Sequence, residues 1–230
     1  MDSELKKLVE SYQPSAETVQ AMRQVRLVAT VGPSATGKTT IMKALAAIQP
    51  SVHFVVGETS RAPRIGEQNG VDLSFRDIQD ILDDLHAGRL TQVVTGPNGD
   101  LYCTRVENFP VGKICVFPLV PKGIIQFRAL PLGFFKAAFI VPASFELWQT
   151  WLNNQAKISN WGPEKLQGRL AEAKASFEFA LNDQRMNFVL NDKVEKAAAR
   201  LYQVACGEDP ADEQKARQTA VDNFAKLNRI

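Results

Sequence analysis

Residues 32 to 39 read Gly32, Pro33, Ser34, Ala35, Thr36, Gly37, Lys38 and Thr39, which fills every position of the pattern G-x-x-x-x-G-K-[ST]. Glycines at those two places let the backbone close into a concave loop whose N–H groups converge on phosphate oxygens. Lys38 would lay its ammonium along the β and γ oxygens of a nucleoside triphosphate, and Thr39 would present a hydroxyl to Mg²⁺. A pattern this short occurs by chance, so the flanks must supply the geometry. Residues 25–31 read as a buried strand feeding the loop, and residues 39–48 read as a helix with Ile41, Met42, Leu45 and Ile48 on one side. Strand, loop, helix is the order that aims the positive end of a helix at the phosphates. The competing reading, a glycine turn that binds nothing, gains no support from these flanks.

The chain that must position this loop has 230 residues, enough for one domain with an excursion such as a lid, and its 45% hydrophobic content is enough for a real core. A formal charge of +2 without any run of five like charges argues against nucleic acid or a membrane surface as partner. Cys103, Cys115 and Cys206 are isolated and odd in number, which suits a reducing compartment better than a disulfide framework. His53 and His86, with no Cys-x-x-Cys, leave no constellation for structural zinc, and each reads as an ordinary strand or helix residue. Met1, Asp2, Ser3 and Glu4 do not form a basic segment leading into an apolar one, and no apolar run approaches membrane-spanning length. A cytoplasmic location without a signal peptide is expected.

Leu5, Leu8, Val9 and Tyr12 form a helical stripe within an N-terminal segment, residues 1–24, that either packs on the domain or extends as an arm. Residues 52–56 look like a second strand, and residues 57–70 a polar loop. Phe75, Ile78, Ile81, Leu82 and Leu85 mark an amphipathic helix stopped by Gly88. Val93 and Val94 on one side and residues 101–104 on the other flank Gly96, Pro97, Asn98 and Gly99, a hairpin signal. Residues 113–120 are nearly all apolar, as a buried strand should be, and Phe139, Ile140 and Val141 repeat that pattern. Residues 153–168 are polar and rich in breakers, which makes them a candidate lid; residues 169–181 return to helix. Residues 188–190 are then a strand, 194–205 a helix, and 208–230 a mixed-charge C-terminal helix. Strands alternating with helices imply a parallel sheet covered on both faces, an α/β fold.

The loop after the second strand carries a further pattern: Thr59, Ser60, Arg61, Ala62, Pro63, Arg64, Ile65, Gly66, Glu67, Gln68, Asn69, Gly70, Val71, Asp72, Leu73, Ser74, Phe75. Two arginines three apart with a proline between them suit a clamp on one phosphate group, because each planar fork bonds phosphate oxygens in pairs. Taken alone, the same residues also suit a solvated basic loop. Together with the phosphate loop, this stretch resembles guanylate kinase, whose T-[ST]-R-x-P-R-x-G-E-x-x-G-x-D-Y-x-F it matches except at Leu73. Tyr102, Cys103 and Thr104 fall where that family has Y-G-[ST], Arg169 and Leu170 where it has Arg-Leu after the lid, and Asn191 and Asp192 where it has Asn-Asp. The resemblance runs in consistent order over about residues 25–205.

It implies a P-loop three-layer fold over residues 25–207, with a parallel central sheet, an inserted small subdomain for a nucleoside monophosphate over about 57–110, and a lid over about 150–168. It implies phosphoryl transfer from ATP to GMP with Mg²⁺, small-molecule nucleotides being the partners and no protein partner being indicated. By the same carry-over, Gly32, Ser34, Ala35, Thr36, Gly37, Lys38, Thr39 and Thr40 would hold ATP, with Thr39 on the metal and Asn191 near the ATP base. Lys38 and Arg169 would meet the transferring group, while Arg61, Arg64 and Tyr102 would hold the acceptor phosphate, with Gln92 and Thr104 at the acceptor base.

Several working positions depart from the family. Leu73 replaces a phosphate-binding tyrosine, Gln92 a glutamate that accepts from guanine N1–H and N2–H, and Gly57 a base-reading serine. Pro118 and Val120 stand at the acidic positions of a D-x-D near the metal, and Trp151 to Gln155 lack the two lid arginines. One such arginine is worth on the order of 10³-fold in rate, and Arg105 or Arg128 are the spare cations that could replace it. Glu58 and Glu67 are the carboxylates available for a relocated metal site, although Glu67 is expected to brace Arg64. A nucleotide kinase is the leading expectation. A catalytically weak nucleotide-binding relative and a phosphopeptide-binding relative are the alternatives.

Overall fold

The computed structural model describes residues 3–64, 66–96 and 98–229. In chain order its elements are α1 (Ser3–Ser11), α2 (Ala16–Ala21), β1 (Arg26–Val31), α3 (Lys38–Ile48), β2 (Val52–Phe54), β3 (Glu58–Thr59), β4 (Ser74–Phe75), α4 (Ile78–His86), β5 (Leu90–Thr95), β6 (Leu101–Arg105), β7 (Ile114–Pro118), α5 (Pro121–Arg128), β8 (Phe134–Pro142), α6 (Phe145–Ile158), α7 (Pro163–Asn182), β9 (Met186–Asn191), α8 (Val194–Ala205) and α9 (Glu213–Leu227). The α/β alternation produces the parallel central sheet it implied, in the order β2-β7-β1-β8-β9, with β8 and β9 paired in parallel from Ala137↔Met186 to Pro142↔Asn191. A smaller sheet has the order β4-β3-β6-β5. Its β5 and β6 are antiparallel, as the hairpin signal required; Pro97, within that signal, lies outside the described residues.

The chain divides into two compact units. The first holds the described parts of Met1–Leu27, His53–Phe117 and Lys122–Phe135. Its core joins Val9 and Tyr12 to Ile81, Leu85, Leu90, Val93, Leu101 and Cys103, with Leu5 and Leu8 packed on it. The N-terminal stripe is therefore a packed element rather than an arm, and Tyr12 fixes it by donating its hydroxyl to the Leu90 carbonyl at 2.7 Å. A trio of edge-to-face rings, Phe109, Phe117 and Phe127, fills a second part of this unit.

The second unit holds Val28–Val52, Pro118–Pro121 and the described part of Lys136–Ile230. Phe139, Trp148, Phe177, Phe188 and Phe224 interlock in its core. Helix α9 buries Ala216, Ala220 and Leu227, and Asn223 donates to the Pro142 carbonyl at 2.9 Å, so the C-terminal helix is built into this unit.

Several boundaries differ from the sequence pattern. Phe75 belongs to β4, and the amphipathic helix starts only at Ile78 because the Asp77 carboxylate caps it, accepting from the Gln79 amide at 2.7 Å. The break-rich stretch 153–168 is mostly helical: α6 runs to Ile158 and α7 begins at Pro163, whose ring suits a first helical position. Asn153, Asn154 and Gln155 are the solvated face of a helix whose other face buries Trp148 and Leu152. Helix α2, residues 16–21, carries too little apolar period to read from sequence; Ser15 caps it through the Thr18 amide.

Candidate functional site

The phosphate loop, in the second unit, takes its shape from main chain. Gly32 (φ +151°), Ala35 (φ +63°) and Gly37 (φ +81°) turn the backbone the wrong way for ordinary L-residues, and Gly37 lies immediately before the first turn of α3. A Cβ at Gly37 would lie 2.8 Å from Asn191 Nδ2, and one at Gly32 would lie 3.0 Å from the Ile140 carbonyl oxygen, so both glycines are also demanded by close packing. Three side chains brace the loop. Asn191, buried at the end of β9, donates to the Thr36 carbonyl at 2.9 Å; Trp148 of α6 donates its indole N–H to the Ser34 carbonyl at 2.9 Å; and Thr36 Oγ1 donates to the Pro33 carbonyl at 3.0 Å. The geometry thus gives Asn191 a scaffolding role that the resemblance did not imply. Nothing in the sequence singles out Trp148, which is fully buried and 114 residues from its partner.

Lys38 opens α3 with its ammonium folded back, donating to the Gly32 and Pro33 carbonyls at 2.7 Å each. Burial of the ammonium, and next the positive charge of Arg169, bring its pKa down to about 8, against an opposing pull from Glu172. Two of the residues expected to meet a transferring phosphoryl therefore feel each other electrostatically. Arg169, on α7, is held by Glu172 at 2.6 Å and lies over the Trp161 ring, 5.5 Å from its centroid. Thr39 and Thr40 are exposed on the first turn of α3, open to a ligand.

The residues expected to hold an acceptor phosphate lie in the first unit. Arg61 is gripped by Glu67 through two parallel hydrogen bonds, both 2.7 Å, and its Nε donates to the Tyr102 hydroxyl at 3.1 Å. The Glu67 bond is the main reason the Arg61 pKa rises, and the Arg61 bond the main reason the Glu67 pKa falls. Glu67 also accepts from the Arg64 backbone N–H at 2.8 Å. The expected brace on Arg64 is thus made through its main chain, while the carboxylate's ion pair goes to Arg61; the Arg64 side chain is exposed.

Gln92 and Thr104 face each other across the β5–β6 pair, both buried, with Thr104 Oγ1 2.7 Å from Thr91 Oγ1. Two departures from the family pattern sit side by side. A Cβ at Gly57 would come 3.1 Å from the Phe117 ring and 3.6 Å from Leu73 Cδ2, so the space of a polar pair is occupied by apolar packing.

The other candidates for metal or charge replacement are engaged. Glu58, 1% exposed, pairs with Arg76 at 2.7 Å and Arg105 at 3.0 Å; Arg76 continues to Asp84 at 2.7 Å, and Asp84 to Arg89 at 2.6 Å. These ion pairs, centred on the buried Glu58 and Asp84, remove both Glu58 and Arg105 as free groups. No cluster of three acidic, histidine or cysteine side chains suited to a metal occurs among the described residues. Of the residues expected at the metal, Thr39 is exposed on the first turn of α3, and a lone hydroxyl fits an ion that keeps most of its waters.

A glycine-shaped loop between β1 and α3, with a lysine at the helix start and a parallel sheet behind it, defines a phosphate-loop nucleotide-binding α/β protein. The family model described as guanylate kinase matches residues 24–206. The chain belongs to the guanylate kinase family. It is 29% identical over 204 residues to the guanylate kinase of Mycobacterium tuberculosis, covering 80% of this chain and 88% of that protein. It is 30% identical over 181 residues to that of Frankia casuarinae, covering 76% and 94%. The crystal structure of guanylate kinase from Anaplasma phagocytophilum shares the fold, with a TM-score of 0.56 over 81% of this chain and 88% of that chain at 20% identity.

Proposed function

We propose that the protein transfers the terminal phosphoryl group of ATP to the phosphate of GMP. The observation that carries this is the Lys38 ammonium, held at 2.7 Å on two loop carbonyls at the start of α3 with the charge of Arg169 beside it. Lys38 would exchange the Gly32 and Pro33 carbonyls for phosphate oxygens, and the loop N–H groups would take the remaining charge. Arg61 and Tyr102 would hold the acceptor phosphate, with Arg64 closing on it from solvent. The acceptor is already anionic, so no protein base is needed; positioning and cations do the work. Mg²⁺ would supply charge neutralisation between the phosphates, with Thr39 as its protein ligand. On this reading, residues 57–110 are the monophosphate-binding subdomain and the α6–α7 hairpin around 159–162 is the tip of the lid. The free thiols Cys103, Cys115 and Cys206 fit a cytoplasmic setting, and among the described residues no helix is long and apolar enough to cross a membrane.

The test is product formation from ATP, Mg²⁺ and a panel of GMP, dGMP, AMP, CMP and UMP, with Lys38→Ala as control. GMP should be converted to GDP by the wild type and not measurably by the control. ATP bound without turnover of any monophosphate would sink the kinase reading and leave a nucleotide-binding relative.

A further inference from the structure

Ala35 is out of place in the phosphate loop. Among the described residues, Ala35 (φ +63°) and Asn160 (φ +48°) are the non-glycine residues with positive φ, and asparagine is the one whose short polar side chain tolerates that conformation. An alanine there costs a factor of about 5 to 30 in population. Gly37, two residues on, takes its φ of +81° without that cost.

One rotation would relieve Ala35. Turning the peptide plane between Ser34 and Ala35 through half a turn changes ψ of Ser34 and φ of Ala35 together, and brings the latter to its ordinary negative side. The same turn reverses what the plane presents, because the C=O and N–H of a trans peptide point in opposite directions. As observed, the Ser34 carbonyl points to the Trp148 indole N–H at 2.9 Å, so the Ala35 N–H points away from Trp148. That N–H makes no hydrogen bond to a described residue, which leaves it free to join the loop N–H groups that a phosphate would meet. Turned over, the plane would offer a carbonyl oxygen in its place and repel the anion.

The indole opposes this rotation. Trp148 is fully buried, its ring lies against Phe145 and Phe177, and among the described residues its N–H has no acceptor but the Ser34 carbonyl. Rotation would strand a buried donor, at a cost of about 5- to 150-fold, which matches or exceeds the relief at Ala35. The other two side-chain braces act on different peptides: Thr36 holds the Pro33 carbonyl and Asn191 the Thr36 carbonyl.

We propose that Trp148 is a positioning residue that keeps the Ser34–Ala35 peptide in its anion-gripping orientation against the left-handed cost of Ala35. This rests on the reading of residues 32–40 as the ATP site. Trp148 and Ala35 act as a pair: the indole is needed because residue 35 carries a Cβ. Without the indole the turned peptide dominates the free protein, and apparent affinity falls with the fraction of molecules left competent.

The test is calorimetric binding of ATP with Mg²⁺ to the wild type, Trp148→Phe, Ala35→Gly and the double variant, with GMP phosphorylation measured in parallel. Trp148→Phe should bind ATP about fivefold more weakly, raising the ATP KM while kcat at saturating ATP stays nearly unchanged. Ala35→Gly should bind within about twofold of the wild type and should restore the double variant to that range, since a glycine leaves nothing for the rotation to relieve. A double variant as weak as Trp148→Phe would mean that the indole merely fills space, and overturns the proposal. Solvent exchange of the three indole protons, read by NMR, needs no variant. In the free wild type that of Trp148 should exchange at least about tenfold more slowly than those of the half-buried Trp151 and Trp161. Equal rates overturn the proposal even if Trp148→Phe fails to fold. If the binding pattern holds but no GMP is phosphorylated, the kinase reading falls and this inference stands. If GMP is phosphorylated and a folded Trp148→Phe binds ATP as the wild type does, this inference falls and the kinase reading stands. A wild type that does not bind ATP overturns both.

Discussion

The two regions proposed to bind phosphate are built on opposite plans. Residues 32–40 are shaped by backbone: left-handed conformations at Ala35 and Gly37, and carbonyls of Ser34 and Thr36 pinned by Trp148 and Asn191. The acceptor region is shaped by side-chain charge: Arg61 on Glu67, and the buried Glu58 and Asp84 paired with Arg76 and Arg105. A loop made of main chain presents the same N–H groups as long as its carbonyls stay pinned. A clamp made of side chains points wherever its partners hold it, so replacements around it change what it grips. That contrast explains how an intact phosphate loop can coexist with an acceptor region in which Leu73, Gly57 and Phe117 have become one apolar contact.

The sharpest break in the comparison is Lys38→Ala. It removes the one side-chain charge the backbone-built region contributes directly, and turnover should fall by about 10³-fold or more. The loop itself should survive, because its braces are Asn191, Trp148 and Thr36. A far-ultraviolet spectrum and melting temperature near those of the wild type, alongside the lost rate, would support this.

Glu58→Gln strikes the charge-built region at its centre. Two arginines would lose their shared carboxylate in a nearly sealed setting, and stability should drop by about 3 kcal/mol, read as a shift in chemical denaturation. A loss below about 1 kcal/mol would mean the chain behaves as a surface pair. Arg61→Lys is milder: it keeps the charge but loses the fork that bonds in parallel, and the monophosphate KM should rise about tenfold with the ATP KM unchanged. Equal changes in both constants would contradict the division of labour. Trp148→Phe keeps the ring against Phe145 and Phe177 but deletes the bond to Ser34. The ATP KM should rise only a few-fold, because one of several braces is lost.

The same contrast decides what could be read from the sequence. The phosphate loop was legible because its chemistry is encoded by glycine positions and an adjacent lysine, all within eight residues. The α/β alternation was legible for a similar reason, since apolar periodicity is local; α8 appears over Val194–Ala205 as its pattern required. Glu67 reads from sequence as a brace on Arg64, yet the fork that meets it is that of Arg61, six residues away. Trp148 carried no signal at all. Its bond to the loop comes from tertiary approach across 114 residues, which no spacing rule contains. The polar helix at 153–158 misled for the opposite reason: a solvated face and a loop share composition, and only the buried Trp148 and Leu152 distinguish them.

The smallest effect is a fraction of a proton, and it tests whether the backbone-built region is as preformed as its geometry implies. Lys38 titrates at about 8 in the free protein, chiefly through burial and secondarily through Arg169. A triphosphate would favour the charged form and raise that value, so binding should take up protons around pH 8 to 9 and almost none at pH 6.5, where the ammonium is already formed. ATP affinity should fall as pH rises through this window. The folding linkage has the reverse sign: between about 8 and the ordinary lysine value the unfolded chain holds more protons, so stability of the free protein should gain with pH there. Calorimetry of ATP binding in buffers of different ionisation enthalpy reads the uptake directly. Uptake that persists unchanged in Lys38→Met would assign the proton to another group. Its absence in the wild type would mean that the ammonium folded onto Gly32 and Pro33 is already as well served by carbonyls as by phosphate.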